Sequence, residues 1–196
     1  MTMYQISDQR LEVLFSRFPL LALTLNTLNE AGIPFAVGGS GCLYLLGNER
    51  LPDDVDIYLP DEKHDYADQL FHTQSYTYES ATENVRNSNP EGDHSIQLTS
   101  RLRLNIQGME YDLRLTEDVL SHRFSAEYKE TTISLLPPED VLLIKALLQR
   151  GKDVGKHDIE DIHRFLEVYP SINREYLRQR IASLNAEARI GGIFDL

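Results

Sequence analysis

The stretch "RLPDDVDIYL", Arg50 to Leu59, constrains this chain more than any other run of similar length. Asp54 and Asp56 alternate with Val55, Ile57 and Leu59. A strand repeats every two residues, so it puts both carboxylates on one face and the aliphatic side chains on the other. The two acids then lie about 7 Å apart at their Cα atoms and repel one another. A bound hard cation such as magnesium is one way to offset that repulsion. The plain alternative is a half-exposed antiparallel sheet whose solvent face happens to be acidic.

The residues before this strand add to the first reading. "FAVGGSG" predicts a short strand, Phe35 to Val37, breaking into a glycine turn, with Ser40 capping a helix whose body is "CLYLLG". Such a turn presents backbone N–H groups and the positive end of a helix dipole, where a phosphate can dock. Two phosphate motifs fit poorly. A P-loop needs Gly-Lys followed by Ser or Thr, which is absent. The dinucleotide fingerprint is matched at Gly39 and Gly41 but has Tyr44 at its third glycine, and the acids open the second strand instead of closing it.

Elsewhere the pattern alternates helix and strand. Leu11, Leu14, Phe15, Phe18, Leu21, Leu25 and Leu28 recur at helical spacing from Asp8 to Ala31, with Pro19 kinking or dividing the run. "DEKHDYADQLFHT" predicts an amphipathic helix with Tyr66, Leu70 and Phe71 inward, and residues 74–94 read as a loop-rich excursion without assignable chemistry. "SIQLTSRLRLNI" and "MEYDLRLT" flank Gln107-Gly108 as a hairpin, which sets Asp112, a third acid, on a strand. Tyr128 to Leu135 predicts a further strand, "PPED" starts a helix at Pro137, and two more helices follow around Asp158 to Val168 and Arg174 to Ala188. The expected architecture is a mixed α/β (α+β) core over residues 1–136, with a C-terminal helical segment over 137–196 packed on it.

Composition narrows the function classes. The 196 residues carry a formal net charge of -12, which argues against a broad polyanion-binding surface. Cys42 is the single cysteine, so neither an intramolecular disulfide nor a cysteine-based zinc cluster is possible, and its neighbours suggest a packed small side chain. No leader pattern or membrane-length apolar run is present, so a cytoplasmic protein without a membrane partner is expected. Lys145 interrupts the apolar run between Asp140 and Arg150, and a lysine there must either reach solvent or meet an anion. His157, Asp158, Asp161 and His163 have metal-like composition, but Ile159, Ile162, Phe165 and Leu166 form the buried stripe of that helix, and His157 and Asp161 are expected simply to pair.

"GGSGCLYLLGNERLPDDVDIYL" resembles the signature of the nucleotidyltransferase superfamily that includes DNA polymerase beta. In that signature a Gly-Gly or Gly-Ser turn precedes an acid-apolar-acid strand, and a third acid follows on a later strand. The resemblance covers Gly32 to Leu115. "PEDVLLIKALLQRGKDVGKHDIEDI" is similar to the C-terminal part of small bacterial members, the antibiotic nucleotidyltransferases and the toxin nucleotidyltransferases of abortive-infection systems. The resemblance implies transfer of an NMP group from an NTP to an acceptor hydroxyl. Asp54, Asp56 and Asp112 would hold Mg2+ (or Mn2+), and Asp112 would accept the acceptor's proton. Gly39, Ser40 and Lys145 would seat the phosphates, with Asp158 orienting Lys145 or the substrate; Arg50, just before the acidic strand, is placed either to contact phosphate or to be an exposed linker charge. The acceptor could be a small molecule, an RNA terminus or a protein hydroxyl. A long basic segment is missing, so recognition of RNA over a wide surface is not expected. The other readings are a non-catalytic nucleotide-binding or interaction module on the same fold, and a toxin restrained by an antitoxin.

Overall fold

Pro19 breaks the N-terminal apolar run into two helices 101° apart, α1 (Asp8–Arg17) and α2 (Leu21–Glu30), in the computed structural model, which describes residues 6–72, 78–81, 84–88 and 95–194. Ser7 caps α1 by accepting from the Arg10 N–H at 3.3 Å. β1 (Ala36–Val37) then leads through the glycine turn into α3 (Gly39–Leu45), and β2 (Asp54–Tyr58) returns antiparallel to β1. A short 3-10 turn at Asp61–Lys63 leads into α4 (His64–His72). On α4 the inward residues are Ala67 and Phe71, each 1% exposed, four apart on one face. Tyr66, expected inward, is 47% exposed because it lies off that stripe.

β3 (Tyr78–Ala81) and β4 (Asn84–Ser88) replace part of the expected loop region; the rest of residues 74–94 lies outside the described residues. β4 forms along β5 (Ser95–Thr99), and backbone pairing to that neighbour outweighs the polar composition that argued against strands. The stretch 95–106, expected as one strand, is two. At Ser100 the chain leaves the main sheet, and β6 (Arg101–Ile106) pairs with β7 (Met109–Arg114) in a separate two-stranded sheet. Gln107 and Gly108 turn that hairpin with φ of 52° and 82°, the positive pair that a two-residue connection needs.

α5 (Glu117–His122) follows, and then β8 (Phe124–Tyr128) and β9 (Thr131–Leu135) form a hairpin turning at Lys129, φ 54°, where one strand was expected. The main sheet has seven strands in the order β3-β4-β5-β2-β1-β9-β8, with β2 parallel to β5 and β1 parallel to β9. The mixed α/β expectation holds.

α6 (Pro138–Leu148) starts at the "PPED" signal and is apolar nearly all round, with Val141, Leu142, Leu143, Ala146 and Leu147 at most 1% exposed. α7 (Asp158–Val168), α8 (Arg174–Ser183) and α9 (Glu187–Ile190) pack around it, the last two separated at Asn185, φ 52°. One hydrophobic core runs from α1 to Phe194. Among the described residues no single helix is long and apolar enough to cross a membrane.

A buried polar joint ties α8 to α6. Asp140, 3% exposed, accepts from the Arg180 Nε at 2.7 Å and the Tyr176 hydroxyl at 2.6 Å, while Glu139 accepts from the Asn173 N–H that opens α8. Asp140→Ala strands the Arg180 guanidinium and should cost about 3–5 kcal/mol in urea unfolding. Replacing both partners by apolar residues, Asp140→Leu with Arg180→Met, should cost less than half as much.

Candidate active site

The C-terminal edge of the glycine turn, the acidic face of β2 and the polar ends of α6 and α7 enclose a cleft of about 290 Å³. Gly39, Ser40, Arg50, Asp54, Asp56, Lys145 and Asp158 all line it. Seven of the eight residues singled out from the sequence thus meet in one place, although they come from four separate segments.

The turn is built around a close approach. Gly38 N–H donates to the Asp56 carbonyl at 2.8 Å, and Gly39 adopts φ +56°. A Cβ on Gly39 would overlap the Asp56 carboxylate, so only glycine fits, by conformation and by space. α3 starts at Gly39 with Gly38 as its N-cap, and Ser40 lies inside the first turn. Ser40 therefore does not cap the helix, as the sequence suggested. Its Oγ accepts instead from Lys145 Nζ at 3.4 Å. An ammonium has only donors, so this contact leaves the Ser40 proton for another acceptor.

Asp54 and Asp56 share the cleft face of β2, as the alternation requires. Burial first, and the Asp54 charge second, push the Asp56 carboxyl up to about 6. Lys156, Arg150 and Lys145 oppose that shift, and the Lys156 ammonium lies 3.4 Å from Asp54 Oδ2. Beside Asp56 in the sheet stands Gln97, its registered partner on β5, which also lines the cleft.

Lys145 is 5% exposed and does not reach solvent. Besides Ser40, its ammonium donates to Asp161 Oδ2 at 2.9 Å and Asp158 Oδ1 at 3.2 Å. Asp158, fully buried, also accepts from the backbone N–H and the Nε of Arg150, both at 2.9 Å. Burial alone would raise the Asp158 carboxyl, but Arg150 and Lys145 outweigh it and hold the group below its ordinary value. The Arg50 guanidinium lies 3.5 Å from Asp53 and 3.7 Å from Asp161.

Asp112 is the residue that the fold takes elsewhere. It sits on the β6–β7 hairpin, does not line the cleft, and is gripped by Arg101, whose Nε donates at 2.7 Å, and by Arg114 at 2.9 Å. The Arg101 guanidinium, with Arg114, holds its carboxyl well below the usual range. The expected three-acid cluster gives way accordingly: among the described residues no group of three or more His, Cys, Asp or Glu side chains is arranged to hold a metal ion. His157 and Asp161 do not pair with each other either. His157 Nδ1 meets Glu160 at 2.7 Å, Asp161 turns to Lys145, and His163 is exposed. Cys42 is buried, its thiol pushed up by burial, and Sγ donates to the Leu136 carbonyl at 3.5 Å, a packing role.

The sequence marks Arg150, Lys152 and Lys156 as a local basic cluster able to hold one terminus of an RNA, and it gives no cleft signal for His157 or Gln97. Arg150 and Lys156 could have been found as cleft cations flanking a glycine-bounded turn, Gly151 to Gly155. Gln97 carried no local signal, since only its pairing to β2 brings it beside Asp56.

The raised value of Asp56 has a defined sign. Between about pH 4 and 6 the folded protein keeps a proton that the unfolded chain releases, so stability falls as pH rises through that window. In EDTA, Asp56→Asn should therefore be more stable than the parent at pH 8, by up to about 3 kcal/mol, and no more stable at pH 4. Urea unfolding at the two pH values measures this; a variant less stable at pH 8 would contradict it.

The sequence matches, over residues 18–190, the family described as "Nucleotidyl transferase of unknown function" (DUF2204). No curated protein matches the chain. Among solved structures, the lincosamide antibiotic adenylyltransferase LnuA bound to lincomycin is similar at 17% identity and TM-score 0.50, over 83% of this chain and 98% of that one. ANT(2'')-Ia in complex with adenylyl-2''-tobramycin is similar at 13% identity and TM-score 0.57, over 88% and 99%. At such identities the likeness is one of fold. The family match spans most of the sequence, and the chain belongs to this family of nucleotidyl transferases, as an enzyme of the nucleotidyltransferase class.

Proposed function

We propose that this protein transfers a nucleoside monophosphate from an NTP to the hydroxyl of a small acceptor, with a divalent cation, Mg2+ or Mn2+, held by Asp54 and Asp56. The observation that carries the reading is the pair itself: two carboxylates forced onto one face, one of them pushed up to about 6, opposite a wall of cations. The donor set fits a hard cation, because two carboxylates leave positions for phosphate oxygens and water. When bound, the cation would offset triphosphate charge and stabilise the displacement.

The chain's own residues do the rest. Ser40, accepting from Lys145, offers its proton to a phosphate oxygen. Arg50, Arg150 and Lys156 line the same cleft and supply charge for the remaining phosphate oxygens, while Asp158 fixes Arg150 and Lys145. The acceptor oxygen forms its bond to the α-phosphorus as the bond to the bridging oxygen breaks and pyrophosphate leaves. Asp112, tied to two guanidiniums, is ill suited to take the acceptor's proton. His157 in the cleft wall suits that role better: Glu160 holds its Nδ1 proton, which leaves Nε2 as the basic nitrogen. A module that bound neither metal nor nucleotide would gain nothing from keeping Asp54 and Asp56 at the cost of their repulsion.

Charge supports a small acceptor. Arg101 and Arg114 are paired with Asp112, Lys152 with Glu160, and Arg150 with Asp158, in a chain of net charge -12. An extended nucleic acid would find few of these cations unopposed. The similar LnuA and ANT(2'')-Ia structures hold lincomycin and an adenylylated tobramycin, which is consistent with a compact acceptor.

Incubating the protein with magnesium, each NTP and panels of hydroxyl compounds, with mass spectrometry of the acceptors, tests the reading. Asp54→Asn and Asp56→Asn should each abolish adduct formation; an adduct of undiminished yield from either variant would sink it. Unstructured RNA should bind weakly at physiological salt and with a shallow salt slope. Tight binding lost steeply with salt would instead point to an extended basic groove.

A further inference from the structure

We infer that Asp161 is a positioning residue for the triphosphate half of the cleft, acting through Lys145 and Arg50. This rests on the nucleotidyl-transfer reading above. Asp161 does not itself line the cleft, whereas both cations do. It projects from the first turns of α7 and is 1% exposed.

A carboxylate so deeply buried is tolerated only with close cationic partners. Oδ2 accepts from Lys145 at 2.9 Å and lies 3.7 Å from Arg50, while Oδ1 is buried with no hydrogen-bond partner among the described residues. Packing alone does not explain these contacts, because an apolar side chain would fill the space without an orphaned oxygen. What the carboxylate does is fix two positive groups from distant segments, one on α6 and one just before β2.

The two cations are held differently. Lys145 has all three donors engaged, by Asp161, Asp158 and Ser40. Its longest contact, 3.4 Å, is the one to the glycine turn. Asp161 anchors the ammonium under Ser40, so that the serine proton is directed away from it. Arg50 is shared between Asp53 and Asp161 in contacts longer than a good hydrogen bond, which leaves its guanidinium able to close on an anion. Removing the Asp161 charge releases both groups at once.

The test is calorimetric titration of the full chain with inorganic tripolyphosphate and magnesium, which needs no acceptor. Asp161→Asn should lower the affinity at least tenfold. In a Lys145→Met background the same substitution should change it by no more than about threefold, because the main arm through which it acts is gone. A purely structural role would lower the melting temperature and leave the affinity of the folded protein unchanged, and that result overturns the inference. An equal drop in both backgrounds overturns it too. Should Asp161→Asn alone fail to fold, the Lys145→Met pair decides: both buried charges are then removed together, and a tenfold drop between Lys145→Met and the double variant counts against Asp161 acting through the lysine. Parent protein that does not bind tripolyphosphate would take down the nucleotidyl-transfer reading together with this one. Parent binding with no loss in Asp161→Asn takes down this one alone.

Discussion

The ammonium of Lys145 is the fixed point of this molecule. A buried charge is stable only where its partners are also fixed, and here they are a serine in the glycine turn and two aspartates on α7. Meeting that requirement draws α6, α7 and the start of α3 to one spot, which is where β2 presents its acids. The apolar residues of α6 supply the burial that holds the helix in the core, while Asp140 near its start and Lys145 further along, each with fixed partners, set its rotation. A lysine without that packing would reach for water.

The same logic explains which parts of the fold were legible in the sequence. Where one local rule decides the outcome, the reading was right: the alternation of β2, the positive-φ Gln107-Gly108 turn, the proline break before α2, and the "PPED" start of α6. Where a partner from elsewhere decides, it failed. Residues 95–106 keep one alternating register broken only at Ser100, a polar residue in an apolar slot, yet β5 belongs to the main sheet and β6 does not, because the pairing partner changes there. β4 is a strand because β5 offers it an edge, although its own composition suggests a loop.

The site divides along the same line. Asp54 and Asp56 could be read together because they share a strand. Asp112 looked like their companion, since an acid between a tyrosine and a leucine reads the same whether it faces a cleft or a pair of arginines. Its hairpin brings Arg101 and Arg114 to it, and Gln97 takes the place beside Asp56. On α7 the helical spacing suggested His157 with Asp161, but the histidine meets Glu160, a neighbour three residues on, and the aspartate is taken by a tertiary partner, Lys145.

A protein with net charge -12 can still present a cation-lined cleft because almost every positive group there is opposed by a carboxylate of its own. Lys156 faces Asp54, Arg150 faces Asp158, and Arg50 lies between Asp53 and Asp161. Such pairing has two effects. It makes the row of cations tolerable, since each faces a carboxylate. It also makes the cleft selective, since an incoming anion must outcompete several carboxylates at once. A single phosphate has too little charge to do so, and an extended polyanion places too little of its charge within about 290 Å³. On the nucleotidyl-transfer reading proposed above, a compact chain of phosphates is the anion that meets both conditions, and that preference follows from the balance of charges rather than from any one residue.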